Sequence, residues 1–92
     1  MEEKDIKIGQ RIVLTKEAEK LYYAYKRSDF KAGMRGKIIY IKDILTSRVL
    51  IEFDDFINGH DGAGRGKNGH CWWLYKEDLT QIAKVYKRKN NY

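Results

Sequence analysis

Proline is absent from the 92 residues, so every turn relies on glycine or on Asn/Asp chemistry. The single cysteine excludes an internal disulfide framework and fits a reducing compartment. No apolar run is long enough to span a bilayer, and the start, MEEKDIKIG, has no signal-peptide character. The chain is therefore expected to be cytoplasmic, with no membrane contact. Acidic side chains are the minority, 13 Asp+Glu against 19 Lys+Arg, for a net charge of +6. That balance favours anionic partners such as nucleotides, nucleic acid or acidic protein surfaces, although solubility alone also accounts for it. A nucleophile elbow, a paired-carboxylate motif and HExxH are all missing.

What is present is enough for one domain with one modest core: hydrophobic content is 42% and aromatic content 13%. After a charged lead-in, Ile6, Ile8, Ile12, Val13 and Leu14 give a short strand, with Gly9-Gln10 as a turn or bulge before it. Thr15 is suited to cap a helix, with Glu17 and Glu19 near its positive end. Ala18, Leu21, Tyr22 and Tyr25 fall on one helical face, and Lys26-Arg27 sit in the last turn, so a helix is expected over about 16–27. Tyr22, Tyr23 and Tyr25 fit a base-stacking platform, but tyrosines at helical spacing more often belong to the core boundary. Phe30 is expected to plug into the core from the following connection.

Residues 34–42 (MRGKIIYIK) read as a strand, with Gly36 marking a bulge or close approach. A turn containing Ile44 and Leu45 leads into 48–54 (RVLIEFD), the clearest strand. There Val49, Ile51 and Phe53 face one way, and Leu50, Glu52 and Asp54 the other. A fourth strand is expected over 70–75, a tight turn over 76–78, and a fifth strand over 79–82 (LTQI). The end, AKVYKRKNNY, carries Lys84, Lys87, Arg88 and Lys89, and reads over 84–92 as a basic tail of a single domain.

The rest of the chain is organised around the stretch 54–73, DDFINGHDGAGRGKNGHCWW. It holds five of the eight glycines, both histidines, the only cysteine and both tryptophans. A loop of this length in so short a chain is usually functional or disordered. Three readings compete. In the first, glycine-rich backbone turns consecutive N–H groups toward an anion. Arg65 and Lys67 add charge, His60 and His70 donate hydrogen bonds, and Trp72 or Trp73 stacks on a base. The spacing is neither a Walker A loop nor a dinucleotide fingerprint. In the second, His60, Asp61, His70 and Cys71 are zinc-ligand types. Adjacent strand positions place His70 and Cys71 on opposite faces, which argues against a closed site. In the third, Asn58-Gly59, Asp61-Gly62 and Asn68-Gly69 are only turn dipeptides. Asp61 then accepts backbone N–H bonds, one tryptophan is core, and Cys71 is a small buried hydrophobe. Pairs such as Cys71/His60 or Asp61/His70 can be drawn for catalysis, phosphodiester cleavage by two histidines included. A barrel this small rarely shields a site for chemistry, so no enzyme, cofactor or resident metal is expected.

Five short strands with one inserted helix point to a mainly β, small, partly open barrel. The order of strand, insertion, glycine-led hairpin over 33–54, loop and closing WWLYKEDLTQI resembles SH3-like barrels of the KOW type. The resemblance implies a DNA- or RNA-binding domain as one option. The inserted helix departs from the minimal barrel of that family. The segment IEFDDFINGHDGAGRGKNGHCWW, with its GHDG and GHCWW elements, also resembles small bacteriophage and prophage proteins of Gram-positive bacteria. That resemblance implies a bacterial host cell, where small barrels inhibit or scavenge host defence.

The expected function is non-enzymatic binding of an anionic ligand, a nucleotide or nucleic acid, through His60, Asp61, Gly62, Gly64, Arg65, Lys67, His70, Trp72 and Trp73. In a phage setting that extends to sequestering a defence nucleotide signal. The alternative is a protein-binding inhibitor of a host factor, using exposed aromatic anchors. Barrels this small often dimerise around a ligand pocket, so the expectation includes a homodimer.

Overall fold

In the computed structural model, residues 1–20, 30–42 and 47–87 are described. Strand β1 (Arg11–Leu14) follows a 3₁₀ turn at Glu3–Asp5. A second 3₁₀ turn, Lys16–Lys20, precedes β2 (Arg35–Lys42) and β3 (Arg48–Phe53). The long loop then leads to β4 (Cys71–Tyr75), helix α1 (Lys76–Ile82) and β5 (Ala83–Val85). The described strands form one antiparallel sheet in the order β4-β3-β2-β1-β5. The fold is thus mainly β, and its unclosed sheet is consistent with a small, partly open barrel.

Alternation decides what each strand buries. In β1, Ile12 and Leu14 are buried while Arg11 and Val13 are only partly covered. Ile38, Val49, Ile51, Phe53 and Leu74 join them in one apolar cluster. Phe30 enters it from the connection before β2, as expected, with its ring 5.4 Å from that of Phe53. Between Ile38 and Tyr40 the β2–β3 register slips, which turns Ile39 and Tyr40 away from that cluster while Ile41 still packs on it.

Thr15 does cap the turn after β1. Its Oγ accepts from the Glu17 N–H at 3.3 Å, and its own hydroxyl donates to the Ile82 carbonyl at 3.0 Å. The expected helix begins here as the 3₁₀ turn, and the rest of it, with Leu21, Tyr22, Tyr23, Tyr25, Lys26 and Arg27, lies outside the described residues. So do Ile44 and Leu45 of the expected hairpin turn, and Arg88 and Lys89 of the tail.

Two expectations at the C-terminal end are corrected. The segment 79–82 is helical, within α1, and the fifth strand lies just beyond it at Ala83–Val85, inside what read as tail. Leu79 and Ile82, three apart, are both buried, and Glu77 and Asp78 sit in the first turn. That is helix chemistry compressed into too few residues for its period to stand out from alternation. The helix carries the chain from one edge strand to the other across the core face.

Candidate functional site

The long loop has a definite shape, built from its own backbone. His60 forms an antiparallel bridge with Cys71, the amide of each donating to the carbonyl of the other at 3.1 Å. Gly59 donates to the Gly69 carbonyl at 3.0 Å, and Gly69 to that of His60 at 3.2 Å. The tip is a tight turn in which the Arg65 amide donates to Gly62 at 3.3 Å and the Gly66 amide to Asp61 at 2.9 Å. Ala63 and Gly64, at its centre, have φ of 59° and 86°, which defines a mirror-image turn.

This turn folds down onto the outer face of the sheet, the side opposite the apolar cluster. Leu50, fully buried yet outside that cluster, lies beneath Gly62. Gly66 fits where no side chain does. A Cβ there would stand 2.6 Å from the Cys71 sulfur, 2.7 Å from Ile39 Cδ1 and 2.8 Å from Glu52 Oε2. Glu52 in turn accepts from the Lys67 amide at 2.9 Å. Much of the glycine content is therefore used in seating the loop on β2, β3 and β4.

The amide cradle expected from the glycines is mostly committed to this folding. At the tip, the consecutive amides of Ala63 and Gly64 are not used in this folding. Asp61 is exposed, and it is its backbone carbonyl that holds the turn.

The two imidazoles go separate ways. His70 is buried, its Nδ1–H donating to the Phe53 carbonyl at 2.9 Å and its ring meeting Phe56 edge-on. A carbonyl only accepts, so this contact fixes the proton on Nδ1. His60 is half-buried; its Nδ1 accepts from the Gly62 amide at 2.9 Å, leaving the proton of the neutral ring on Nε2. Its ring lies 5.4 Å from that of Trp72. Cys71 is fully buried, its thiol donating to the Lys67 carbonyl at 3.5 Å. Burial, reinforced by Glu52 and Asp61, pushes the thiol pKa up. An unreactive, small buried hydrophobe is the consequence. Among the described residues no group of three His, Cys, Asp or Glu side chains is placed to hold a metal.

Both tryptophans are half-buried. Trp72 packs against the apolar cluster, and Trp73 points to the outer face, as alternation requires. There Tyr40, Leu50 and Trp73 are directly opposed across β2, β3 and β4. The Tyr40 and Trp73 rings meet edge to face at 6.1 Å and 86°. Arg65 closes the group: its guanidinium sits 4.1 Å from the Tyr40 ring centroid and donates to the Gly62 carbonyl at 3.1 Å. Of the expected site residues, Arg65 and Trp73 thus converge, with Gly62 and Gly64 shaping the turn that delivers Arg65. Lys67 is exposed beside them, whereas His60 with Trp72, and His70 with Phe56, lie in separate settings.

Sequence reasoning missed Tyr40, and missed the other half of the outer face. Arg11 pairs with Lys37, and Val13 pairs with both Arg35 and Lys84. Directly opposed residues share a face, so four cations gather there. The two basic residues at alternate positions of 35–38 (RGKI) carried part of that signal, and the pairing of β2 with β1 and of β1 with β5 supplied the rest.

Among the described residues no helix is long and apolar enough to cross a membrane. In comparisons with known proteins, no family model, no curated protein and no solved structure matches the chain.

Proposed function

We propose that the chain is a non-enzymatic binding module for an anionic ligand that carries a base, and that it takes this ligand where the loop meets the outer face of the sheet. The observation that carries the proposal is the Arg65–Tyr40–Trp73 group. A guanidinium held over one ring, with a second ring edge-on beside it, offers a stacking surface and N–H donors at one place. Lys67 and the amides of Ala63 and Gly64 supply further positive potential close by. In the phage setting that the loop resembles, such a module sequesters a nucleotide signal of host defence. Titration at low salt with a panel of mononucleotides, cyclic dinucleotides and short oligonucleotides tests this. Binding that weakens on Arg65→Ala and on Trp73→Ala supports it, and silence across the panel overturns it.

Phe56 favours a second reading. The residue is 67% exposed although its ring lies on Gly69 and against His70. An aromatic presented in this way suits an anchor in a protein interface, which fits an inhibitor of a host factor. Salt separates the two readings, since phosphate recognition falls steeply with ionic strength and an aromatic-centred interface does not.

A further inference from the structure

Beyond the rim of the loop, the outer face of β2, β1 and β5 has a composition of its own. The register puts Arg11 opposite Lys37, and Val13 opposite Arg35 on one side and Lys84 on the other. Lys84 and Tyr86 are two apart, and Tyr86 donates its amide to the Arg11 carbonyl at 3.0 Å, so β-type pairing continues through it. The Arg35 guanidinium lies 4.6 Å from the centre of the Tyr86 ring. Two acidic side chains of the described residues share this face, Asp54, which is bound to Arg11, and Glu52, whose carboxylate accepts from the Lys67 amide. The area is continuous with the loop: the Lys67 amide is held by Glu52, and Glu52 is opposed to Lys37.

We infer that this strip, running from Lys67 over Lys37 and Arg11 to Arg35, Lys84 and Tyr86, binds the backbone of a single-stranded nucleic acid whose bases stack on Tyr86 and at the Tyr40–Trp73 end. The inference rests on the proposed anion-binding role of the loop and names its ligand as a polynucleotide. Four inter-strand spacings of about 4.8 Å separate β4 from β5, so the face is roughly 19 Å across. That suits an extended strand of several nucleotides better than one mononucleotide. Cations set between rings on a sheet match unpaired bases, whose faces are free, whereas a duplex offers phosphates but no open base face. The described helix, α1, turns Leu79 and Ile82 into the core on the other side of the sheet and has no place in a groove.

The test uses the full chain and fluorescence anisotropy with labelled 12-mers of deoxythymidine and of uridine. A 12-base-pair duplex, polyglutamate and a 5′-mononucleotide serve as competitors between 50 and 200 mM salt. The expected result is that both single strands bind more tightly than any competitor. The slope of log K against log salt should be near −3, from about four phosphate contacts at about −0.7 each. The double charge reversal Lys37→Glu/Lys84→Glu, at two exposed positions, should weaken the oligonucleotides on the order of 20-fold at 0.1 M salt. It should leave mononucleotide binding and the urea midpoint unchanged. Tyr86→Ala should weaken the oligonucleotides without changing the salt slope. Mononucleotide binding with no gain for the 12-mers, or 12-mer binding indifferent to the charge reversal, overturns the strip and leaves the loop reading standing. Duplex or polyglutamate competing equally well overturns base stacking. No binding of any nucleotide or oligonucleotide overturns both.

Discussion

Arg11 and Asp54 grip each other across β2. Nη1 donates to Oδ1 at 2.8 Å and Nη2 to Oδ2 at 2.6 Å, joining the start of β1 to the residue after β3 over the strand that separates them. The hydrogen bonds from Arg11, more than its charge, hold the Asp54 carboxyl below the usual carboxylate range. The pair staples three strands at the end where the chain leaves for the long loop.

A group whose folded pKa is lowered adds stability that is present above its unfolded value and is lost as pH falls through the folded one. For Asp54 the loss begins near pH 4 and grows below it. Both side chains are more than a third exposed, at 37% and 46%, so solvent screening limits the pair to about 0.2–1 kcal/mol. Thermal melts at pH 5, 4 and 3 should show native protein losing more than Asp54→Asn over the same interval. Equal losses would mean that the pair contributes nothing.

The same substitution has a second expected outcome. Asp54→Asn releases Arg11 and removes one negative charge from the basic strip. Affinity for a single-stranded 12-mer should rise about threefold or more at 0.1 M salt, with the salt slope steeper by about 0.7 for one added phosphate contact. Anisotropy titration reads both, and a weaker complex would contradict the assignment of this face.

Gly66→Ala should lift the loop. The added methyl meets the Cys71 sulfur, the end of Ile39 and the Glu52 carboxylate together, and that carboxylate is held by the Lys67 amide. A loss of about 1–3 kcal/mol is expected in urea denaturation. In the native protein a thiol reagent should modify Cys71 slowly, because the sulfur is buried and its thiolate is disfavoured. In the variant modification should be markedly faster. Unchanged reactivity would show that the loop does not cover the sulfur.

Backbone strain at the tip is testable separately. Gly64 has a φ of 86° and nothing within 4 Å of where a Cβ would stand, so Gly64→Ala should cost about 1 kcal/mol from conformation alone. Ala63 already occupies this region with a φ of 59°. Ala63→Asn should therefore raise the urea midpoint, since asparagine tolerates that conformation better. Opposite signs for the two variants are the expected result.

Much of the scaffold was legible because its strands alternate. The residues 34–42, 48–54 and 70–75 matched β2, β3 and β4 to within a residue at their ends, and Phe30 and Cys71 are buried as their types suggested. The element after β4 was misread because a seven-residue helix with two buried residues, Leu79 and Ile82, cannot be told by period from a turn and a strand. Tyr40 was missed as a site residue because its exposure to the outer face depends on the register slip after Ile38, and a bulge leaves no fixed mark in the sequence.

The sequence determined by itself that this is a small β-rich chain, with charge alternating against apolar residues and glycine concentrated in one loop. Hydrophobic period and composition are local properties, and they survive without coordinates. Only the tertiary structure decided that most of those glycines seat the loop on the sheet, that one imidazole is sealed inside, and that Arg65 comes to rest on Tyr40. Each of these joins positions far apart in the chain, and only the pairing register and the close fit of the folded backbone bring such positions together.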